Sequence, residues 1–491
     1  MSPRKQRART VPVDPDRWPP CVRCGQCYRD ASPWPEGRVC CYCRRAARQR
    51  EGTCLRCGHH GVLPGLIDGR PACVGCSGVP VDVCCRRCGR EAPMGFSLIC
   101  WRCQLQDQLS RLMADPDGAI PAALQAFVDA LLGLPQPRIA YVWIRRNAAV
   151  QTILRQLATG EVALDHATFD QLPGRTTEYL RGLLVEHGCL PGRDRYLAAF
   201  ERWLPTKLDH IPDPAARRHI DAFARWHLLR QLRDRAKREP LPAGAFLNAK
   251  QSTTVAIAFL TWLSGRGQQL DTVTQADVDA WYASGPSTRH HAARFLSWAR
   301  EQHLTRIDQP RLKHNDGPIM SEGQRLDQLN RLLADDLPAT ARLIGLLVLM
   351  FGQPLSRIVR LPRGSVTVTA DQTSLRLGRH AIDLPPEVAA VVHDHLAQIN
   401  EHRNEAGHPQ RRWLFPGLQP GQPLHVFSAA GMLTEIGLPA RAARNTAWRQ
   451  MVHQAPAAIL ADGLGVQRGT AARHATVAGA DYASYPNIAD L

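Results

Sequence analysis

Along most of the chain the apolar positions recur at helical spacing. From Gln104 to about Arg238 they are broken mainly by proline-containing turns such as Leu134-Pro-Gln-Pro and Ile211-Pro-Asp-Pro. Glycines and β-branched runs are sparse there, which predicts helices and argues against a sheet. The last of these helices, Ala215 to Arg238, places Ile220, Phe223, Trp226, Leu229 and Leu232 on one side. Opposite them lie Arg217, Arg218, Arg225, Arg230, Arg233, Arg235, Lys237 and Arg238, against only Asp221 and Asp234. This is an amphipathic helix with a basic face, suited either to phosphate contact or to plain solvation. Pro240-Leu-Pro-Ala-Gly then marks a boundary.

Beyond it the punctuation sharpens. Val255, Phe259, Trp262 and Leu263 fall at i, i+4, i+7 and i+8, one face of a helix. Thr274-Gln-Ala-Asp277 reads as a capping box opening a helix with Val278, Trp281 and Tyr282 inward. Ser287 is placed to cap a third, with Phe295, Trp298 and Ala299 inside and Arg289, His290, Arg294 and Ser297 outside. Ile344 to Leu361 reads as one buried helix. Ser365-Val-Thr-Val-Thr, Ser374-Leu-Arg-Leu and His380-Ala-Ile-Asp-Leu alternate or are rich in β-formers, predicting a small antiparallel sheet. A helix from Pro386, a loop at Pro416-Gly-Leu-Gln-Pro-Gly-Gln-Pro and further helices come next.

The first hundred residues obey another rule. Fifteen of the sixteen cysteines lie between Cys21 and Cys103, as CxxC pairs: Cys21/Cys24 with Cys40/Cys43, Cys54/Cys57 with Cys73/Cys76, and Cys85/Cys88 with Cys100/Cys103. Two such pairs supply the four thiolates of a tetrahedral zinc site, and the pattern occurs three times at a repeat of about 32 residues. We read three tandem four-cysteine zinc ribbons binding about three structural Zn²⁺, whose binding energy would fold units too small to hold a core. Disulfides or a redox CxxC are the competing use of such cysteines. Gly25, Gly58 and Gly89 come directly after the first pair of each unit, where a positive φ suits glycine. Cys27, Cys41 and Cys84 are left over, with Cys24/Cys27 an alternative pair, and the isolated Cys189 reads as an apolar filler.

Charge adds a partner class. Sixty-one basic against 44 acidic residues give +17. Each four-thiolate zinc site carries net −2, so three of them lower this to about +11, still basic enough to favour a polyanion such as nucleic acid. The longest strongly apolar run, Leu343 to Gly352, is about half of a bilayer span, and the N-terminus lacks the apolar core of a secretory signal. The expectation is a cytoplasmic, nucleoid-associated protein with no membrane partner.

The segment from Phe246 to about Pro310 is similar to the core-binding domain of tyrosine recombinases, the phage-integrase family, and the remaining C-terminal part resembles that family's catalytic domain in layout. The resemblance implies that a tyrosine attacks a DNA phosphodiester, that two arginines hold its non-bridging oxygens, and that a lysine and two histidines (or His and Trp) handle protons, without a metal. Here Phe351-Gly-Gln-Pro354 puts proline where the first arginine belongs, with Arg357 and Arg360 out of register. His-x-x-Arg appears as Arg441-Ala-Ala-Arg444, continued by Asn445-Thr446 as in the family. The sheet lysine is absent, with Arg376 and Arg379 nearby, and Leu464-Gly465-Val466 lacks its histidine. Tyr482 and Tyr485 come later than the family spacing. The implied catalytic residues are Arg444 and Tyr482, with Tyr485 as substitute, and the implied DNA contacts are Arg289, His290 and Arg294.

Ala457 to Thr476 also resembles a helix-turn-helix, with Arg468, Thr470, Arg473 and His474 facing a major groove. The sequence therefore supports a mainly α protein with a small antiparallel sheet in its C-terminal domain and N-terminal zinc ribbons. Its parts are a basic tail (1–17), three ribbons (18–105), a helical middle (106–240), a core-binding-like clamp (244–310) and a degenerate recombinase-like catalytic domain (319–491). The expected function is DNA binding of the site-specific recombinase or integrase type with strand cleavage weakened or lost. The alternative is a zinc-binding helix-turn-helix transcription regulator. Double-stranded DNA is the expected partner, with self-association on DNA and protein contacts through the ribbons as further ones.

Overall fold

A computed structural model describes residues 17–94, 98–115, 117–172, 174–307, 317–334, 336–401 and 412–480. Tyr482, Tyr485 and nearly all of the basic tail lie outside the described residues. The described residues are mainly helical with small antiparallel sheets. The chain divides into two compact units, one running to Leu190 and the other beginning at Pro191.

The first unit opens with the cysteine modules and continues as helices. Trp101–Met113, Ala122–Leu132, Pro137–Arg146, Ala148–Ala158 and Arg175–Glu186 bury one core around Leu105, Phe127, Ile144, Leu154, Phe169 and Leu184. Pro137 stands in the first turn of its helix, where a missing N–H leaves no bond unmade.

In the second unit, helices on both sides of Pro240 share a single core. Phe200, Phe223, Phe259 and Phe295 come from Arg195–Asp209, the helix beginning at Pro214, Ala243–Ser264 and Ala292–Glu301, and all four are fully buried. The Leu241 N–H donates to Asp194 Oδ2 at 2.6 Å, stapling the proline-rich turn to the bundle. Packing thus continues across the position where the prolines punctuate the sequence. The Thr274–Asp277 capping box is present, with the Thr274 N–H donating to Asp277 Oδ2 at 2.9 Å. Ser287 caps nothing: it begins a 3₁₀ turn, Ser287–His291, that leads into Ala292–Glu301.

The rest of this unit wraps helix Ala339–Leu349, in which every residue from Ala341 to Leu349 is buried. Its one charged member, Arg342, donates to the carbonyls of Leu332 and Leu333 at 2.9 Å and so caps the end of helix Glu322–Leu333. The buried helix stops at Leu349 instead of running to Leu361. Gly352 turns the chain at φ +58°, Pro354 has no N–H to continue the ladder, and a short helix restarts at Leu355–Ile358. The sheet is present as expected: Val366–Val368, Thr373–Arg376 and Ala381–Asp383 form an antiparallel meander, pairing Leu375 with both Val366 and Ile382. Helices Pro386–Glu401, Val426–Glu435, Ala440–Gln454, Ala457–Leu464 and Arg468–Ala478 complete the unit.

Candidate metal centres and phosphate site

Each module builds half of its site from a tight turn and half from a helix N-terminus. In the turns, Gly25, Gly58 and Gly89 donate to the carbonyls of Cys21, Cys54 and Cys85, all at 2.8 Å, with φ of +68°, +73° and +68°. In the second pairs, Cys40, Cys73 and Cys100 are the N-cap residues of Cys41–Ala47, Val74–Ser77 and Trp101–Met113, so the fourth ligand lies in the first helical turn. The backbone N–H of each of these N-cap cysteines donates to the first cysteine of its group, Cys21, Cys54 or Cys85, and favours the thiolate there.

These turns gather three groups of four: Cys21, Cys24, Cys40 and Cys43; Cys54, Cys57, Cys73 and Cys76; Cys85, Cys88, Cys100 and Cys103. Within each, the sulfurs lie within 4.8 Å of one another. Cross-pair separations are 3.8 Å for Cys24–Cys40, 3.6 Å for Cys57–Cys73, and 3.9 Å for both Cys85–Cys103 and Cys88–Cys100. A tetrahedral ion with bonds of about 2.3 Å sets its sulfurs about 3.8 Å apart, so the donor set fits such an ion. Cys27 is outside the first group, so Cys24 gathers with Cys21 rather than with Cys27; Cys41 and Cys84 are outside as well.

Thiol acidities are split within each group. Cys54 is held down to about 6, chiefly by the Cys73 backbone N–H. Burial works to raise Cys21 and Cys85, but backbone N–H donors, among them those of Cys40 and Cys100 at 3.3 Å, outweigh it and hold both at about 6. Cys76 is pushed up to about 12 by its bonds to Cys57 and Cys73, and burial together with neighbouring thiols drives Cys43 and Cys103 well up. A cation held by such a group takes its ligands as thiolates and so releases their protons.

The modules are also tied to each other. Glu36 pairs with Arg23 while its other oxygen accepts from the Leu66 N–H at 3.2 Å, and Arg23 donates to the Pro64 carbonyl at 2.8 Å. Glu91 accepts from the Val62 N–H at 2.7 Å and meets His59 at 2.9 Å. Gln49 donates to the Met94 carbonyl and accepts from the Trp101 indole at 2.7 Å. First meets second, second meets third and first meets third, so the array is one body.

In the second unit Arg444 stands on helix Ala440–Gln454 and donates Nε–H to the Gly352 carbonyl at 3.1 Å. Trp448, one turn on and fully buried, donates its indole N–H to the same oxygen at 2.9 Å. Burial lowers the guanidinium pKa of Arg444, and its two Nη groups meet no acceptor among the described residues. His474, from Arg468–Ala478, stacks on Trp448 with centroids 4.8 Å apart and planes 7° from parallel. The turn where the resemblance puts a first arginine therefore lies against Arg444 and contributes a carbonyl.

Neighbouring arginines are already engaged. Arg357 donates to the carbonyls of Leu464, at 2.6 Å, and Leu377. Arg360 donates to the Pro240 carbonyl and lies 3.8 Å from Glu239. Asn445 donates to the Pro318 carbonyl at 3.1 Å and Thr446 accepts from the Met320 N–H at 2.8 Å, so this pair anchors the segment before helix Glu322–Leu333.

The expected DNA contacts fare unevenly. Arg289 lies over the Trp281 ring at 3.9 Å and donates to Ser284 Oγ and the Trp281 carbonyl, both at 2.5 Å. His290 stacks on Tyr282, and Arg294, half-buried, donates to Gln231. Arg468 and Arg473 are exposed, the former 3.2 Å from Asp462. His474 faces Trp448 rather than outward, which removes one of the four side chains expected in a groove. Sequence reasoning missed Trp448 as a partner of Arg444; their i, i+4 spacing was the available signal.

No protein-family model matches the chain, and no curated protein matches it. Solved structures do. The XerH site-specific recombinase bound to its difH substrate, in a pre-cleavage complex, is 12% identical over 57% of this chain and 92% of that one, with a TM-score of 0.35. The Tn1549 transposon integrase in complex with circular intermediate DNA is 15% identical over 50% and 93%, TM-score 0.35. A lambda integrase dimer bound to a COC′ core site is 12% identical over 50% and 93%, TM-score 0.32. At these scores the likeness transfers no residue role, and each role rests on this chain's own geometry. Among the described residues no helix is long and apolar enough to cross a membrane.

Proposed function

We propose that this protein binds duplex DNA as a tyrosine site-specific recombinase-type factor, in DNA recombination or integration, with strand cleavage weakened or lost. The observation that carries the reading is the Arg444–Gly352 contact. It brings the retained arginine to the turn a phosphate clamp uses, yet that turn supplies an oxygen in place of a second guanidinium. A missing donor to a developing oxyanion costs about 10²–10³ in rate, and a carbonyl oxygen there opposes the charge further. Arg444 keeps its Nη groups for one phosphate, a contact that adds to binding without completing a clamp. Tyr482, or Tyr485 in its place, is the candidate nucleophile of any residual cleavage.

Zinc is the proposed ion in the three groups of four cysteines, where it supplies folding energy. Four thiolates at tetrahedral spacing suit it, and the array offers a rigid surface to DNA or to a protein partner. Binding on DNA as an oligomer, inside the cell and at the nucleoid, completes the reading. Duplex affinity measured against salt tests it. Arg444→Ala should weaken binding and reduce the slope of log K against log salt by about one, and an unchanged slope would remove Arg444 from the interface.

A second reading, a transcription regulator, is favoured by one observation. Ala457–Leu464 and Arg468–Ala478 are joined through Gly465 at φ +61°, with Arg468 and Arg473 exposed. In that case Arg468→Ala and Arg473→Ala would abolish recognition of one operator while leaving Arg444→Ala silent.

A further inference from the structure

The basic helix before Pro240 departs from its sequence pattern at one residue. Trp226 belongs to the apolar stripe by spacing, yet it is 73% exposed. The cause is local. Between Pro214–Ala222 and Arg230–Ala236 the backbone runs as a π-helix, Phe223–Leu229, one continuous element with a wider turn. The inward line then passes through Ile220, Phe223, Ala224, Leu228, Leu229 and Leu232, and Trp226 is rotated onto the outer face. π-turns are rare and concentrate at functional sites, because they sacrifice regular bonding to re-aim a side chain.

The surroundings of that indole are specific. It lines a shallow groove of ≈ 520 Å³ with Pro205, Leu208, Pro214, Arg218 and Arg225. Arg225 is held 2.6 Å from Asp221 and Arg217, at the same groove, 2.7 Å from Asp209, which fixes both guanidinium groups. Arg218 is exposed and forms no hydrogen bond or ion pair among the described residues. Of the eight basic residues along the helix, five are ion-paired, to Asp209, Asp221, Glu201, Glu239 and Asp234, while Arg218 beside the indole is not. A flat aromatic face beside that unpaired guanidinium matches the chemistry of an unstacked nucleobase and its phosphate.

We propose that Trp226 and Arg218 form a binding site for single-stranded or unpaired DNA, in which a base stacks on the indole and its phosphate pairs with the guanidinium. The site is separate from the Arg444 cluster and does not depend on strand cleavage.

The test uses the full-length metal-loaded protein and a labelled, non-self-complementary oligonucleotide of about twelve nucleotides, read by fluorescence anisotropy, with a duplex of the same sequence alongside. Trp226→Ala should weaken single-strand binding roughly tenfold and Trp226→Tyr should retain most of it. Arg218→Ala should lower the salt slope for the single strand by about one. Duplex affinity and the urea midpoint should stay as in the wild type, since the indole contributes little to the core. Single-strand binding unchanged in Trp226→Ala would overturn the proposal, and so would a wild type that does not bind the oligonucleotide. A change in oligomeric state of Trp226→Ala with single-strand binding intact would also overturn it, making this face a contact between copies.

Discussion

Arg444 and Trp448, one helical turn apart, donate to a single oxygen, the Gly352 carbonyl, at 3.1 and 2.9 Å. Two donors converging on one acceptor lock the turn at Phe351–Pro354 against helix Ala440–Gln454.

Removing one donor tests the lock. Trp448→Phe loses the indole N–H and leaves a cavity where the larger buried ring stood, and should cost about 2 kcal/mol in urea unfolding. Gly352→Ala should cost more, because its φ is positive and a Cβ would stand 2.7 Å from the Trp448 indole nitrogen. A Gly352→Ala variant as stable as the wild type would contradict the packing described.

Metal stoichiometry separates ligands from bystanders. The intact protein should carry about three zinc ions by elemental analysis. Cys57→Ser should carry about two, and Cys27→Ser, Cys41→Ser and Cys84→Ser should each retain all three. Because the modules are clamped to each other, Glu91→Ala should speed zinc transfer to a chelator from the second and third sites while leaving every ligand in place.

The pH dependence of stability has an identifiable contributor. His395 is fully buried, donates Nε2–H to the Leu414 carbonyl at 2.9 Å and accepts from the Thr340 hydroxyl at 3.1 Å. Burial holds its pKa below the ordinary value of 6.5. The unfolded chain therefore binds this proton more readily, so the contribution is fully present above about pH 6.5 and is lost as pH falls below it. His395→Gln should flatten the decline of the urea midpoint between about pH 6.5 and 5. An unchanged slope would assign that decline to other groups.

Much of this was legible in the sequence, for physical reasons that also mark the limits. Cysteine spacing is set by a coordination shell, so the twelve clustered cysteines could be read directly. What it could not show was that Cys40, Cys73 and Cys100 start helices, since CxxC fits a turn or a helix end. The strands around Leu375 and the capping box at Thr274 depend on neighbours in sequence and were found. Trp226 was misplaced because a π-turn changes the helical phase without any residue announcing it. Arg289 and Arg294 look like surface arginines by spacing, yet Trp281 and Gln231, remote or across a turn, take them up. The Gly352 contact joins residues 92 positions apart and has no local signature.

The hairpin turn beside the last two helices gives one more test. A Cβ at Gly378 would collide with the Asp462 and Gly463 carbonyls and stand 2.6 Å from the Gly465 nitrogen. Gly378→Ala should therefore destabilise the C-terminal part of the second unit by more than about 2 kcal/mol and weaken duplex binding with it.

DNA binding with cleavage weakened or lost is put to its sharpest trial by trapping. Metal-loaded protein is incubated with sheared DNA from its own source, and DNA is recovered before and after boiling in detergent. Recovery only under native conditions, falling as salt rises, is the expected result. DNA that survives boiling on the wild type, and is lost on Tyr482→Phe or Tyr485→Phe, would contradict it and establish a working recombinase.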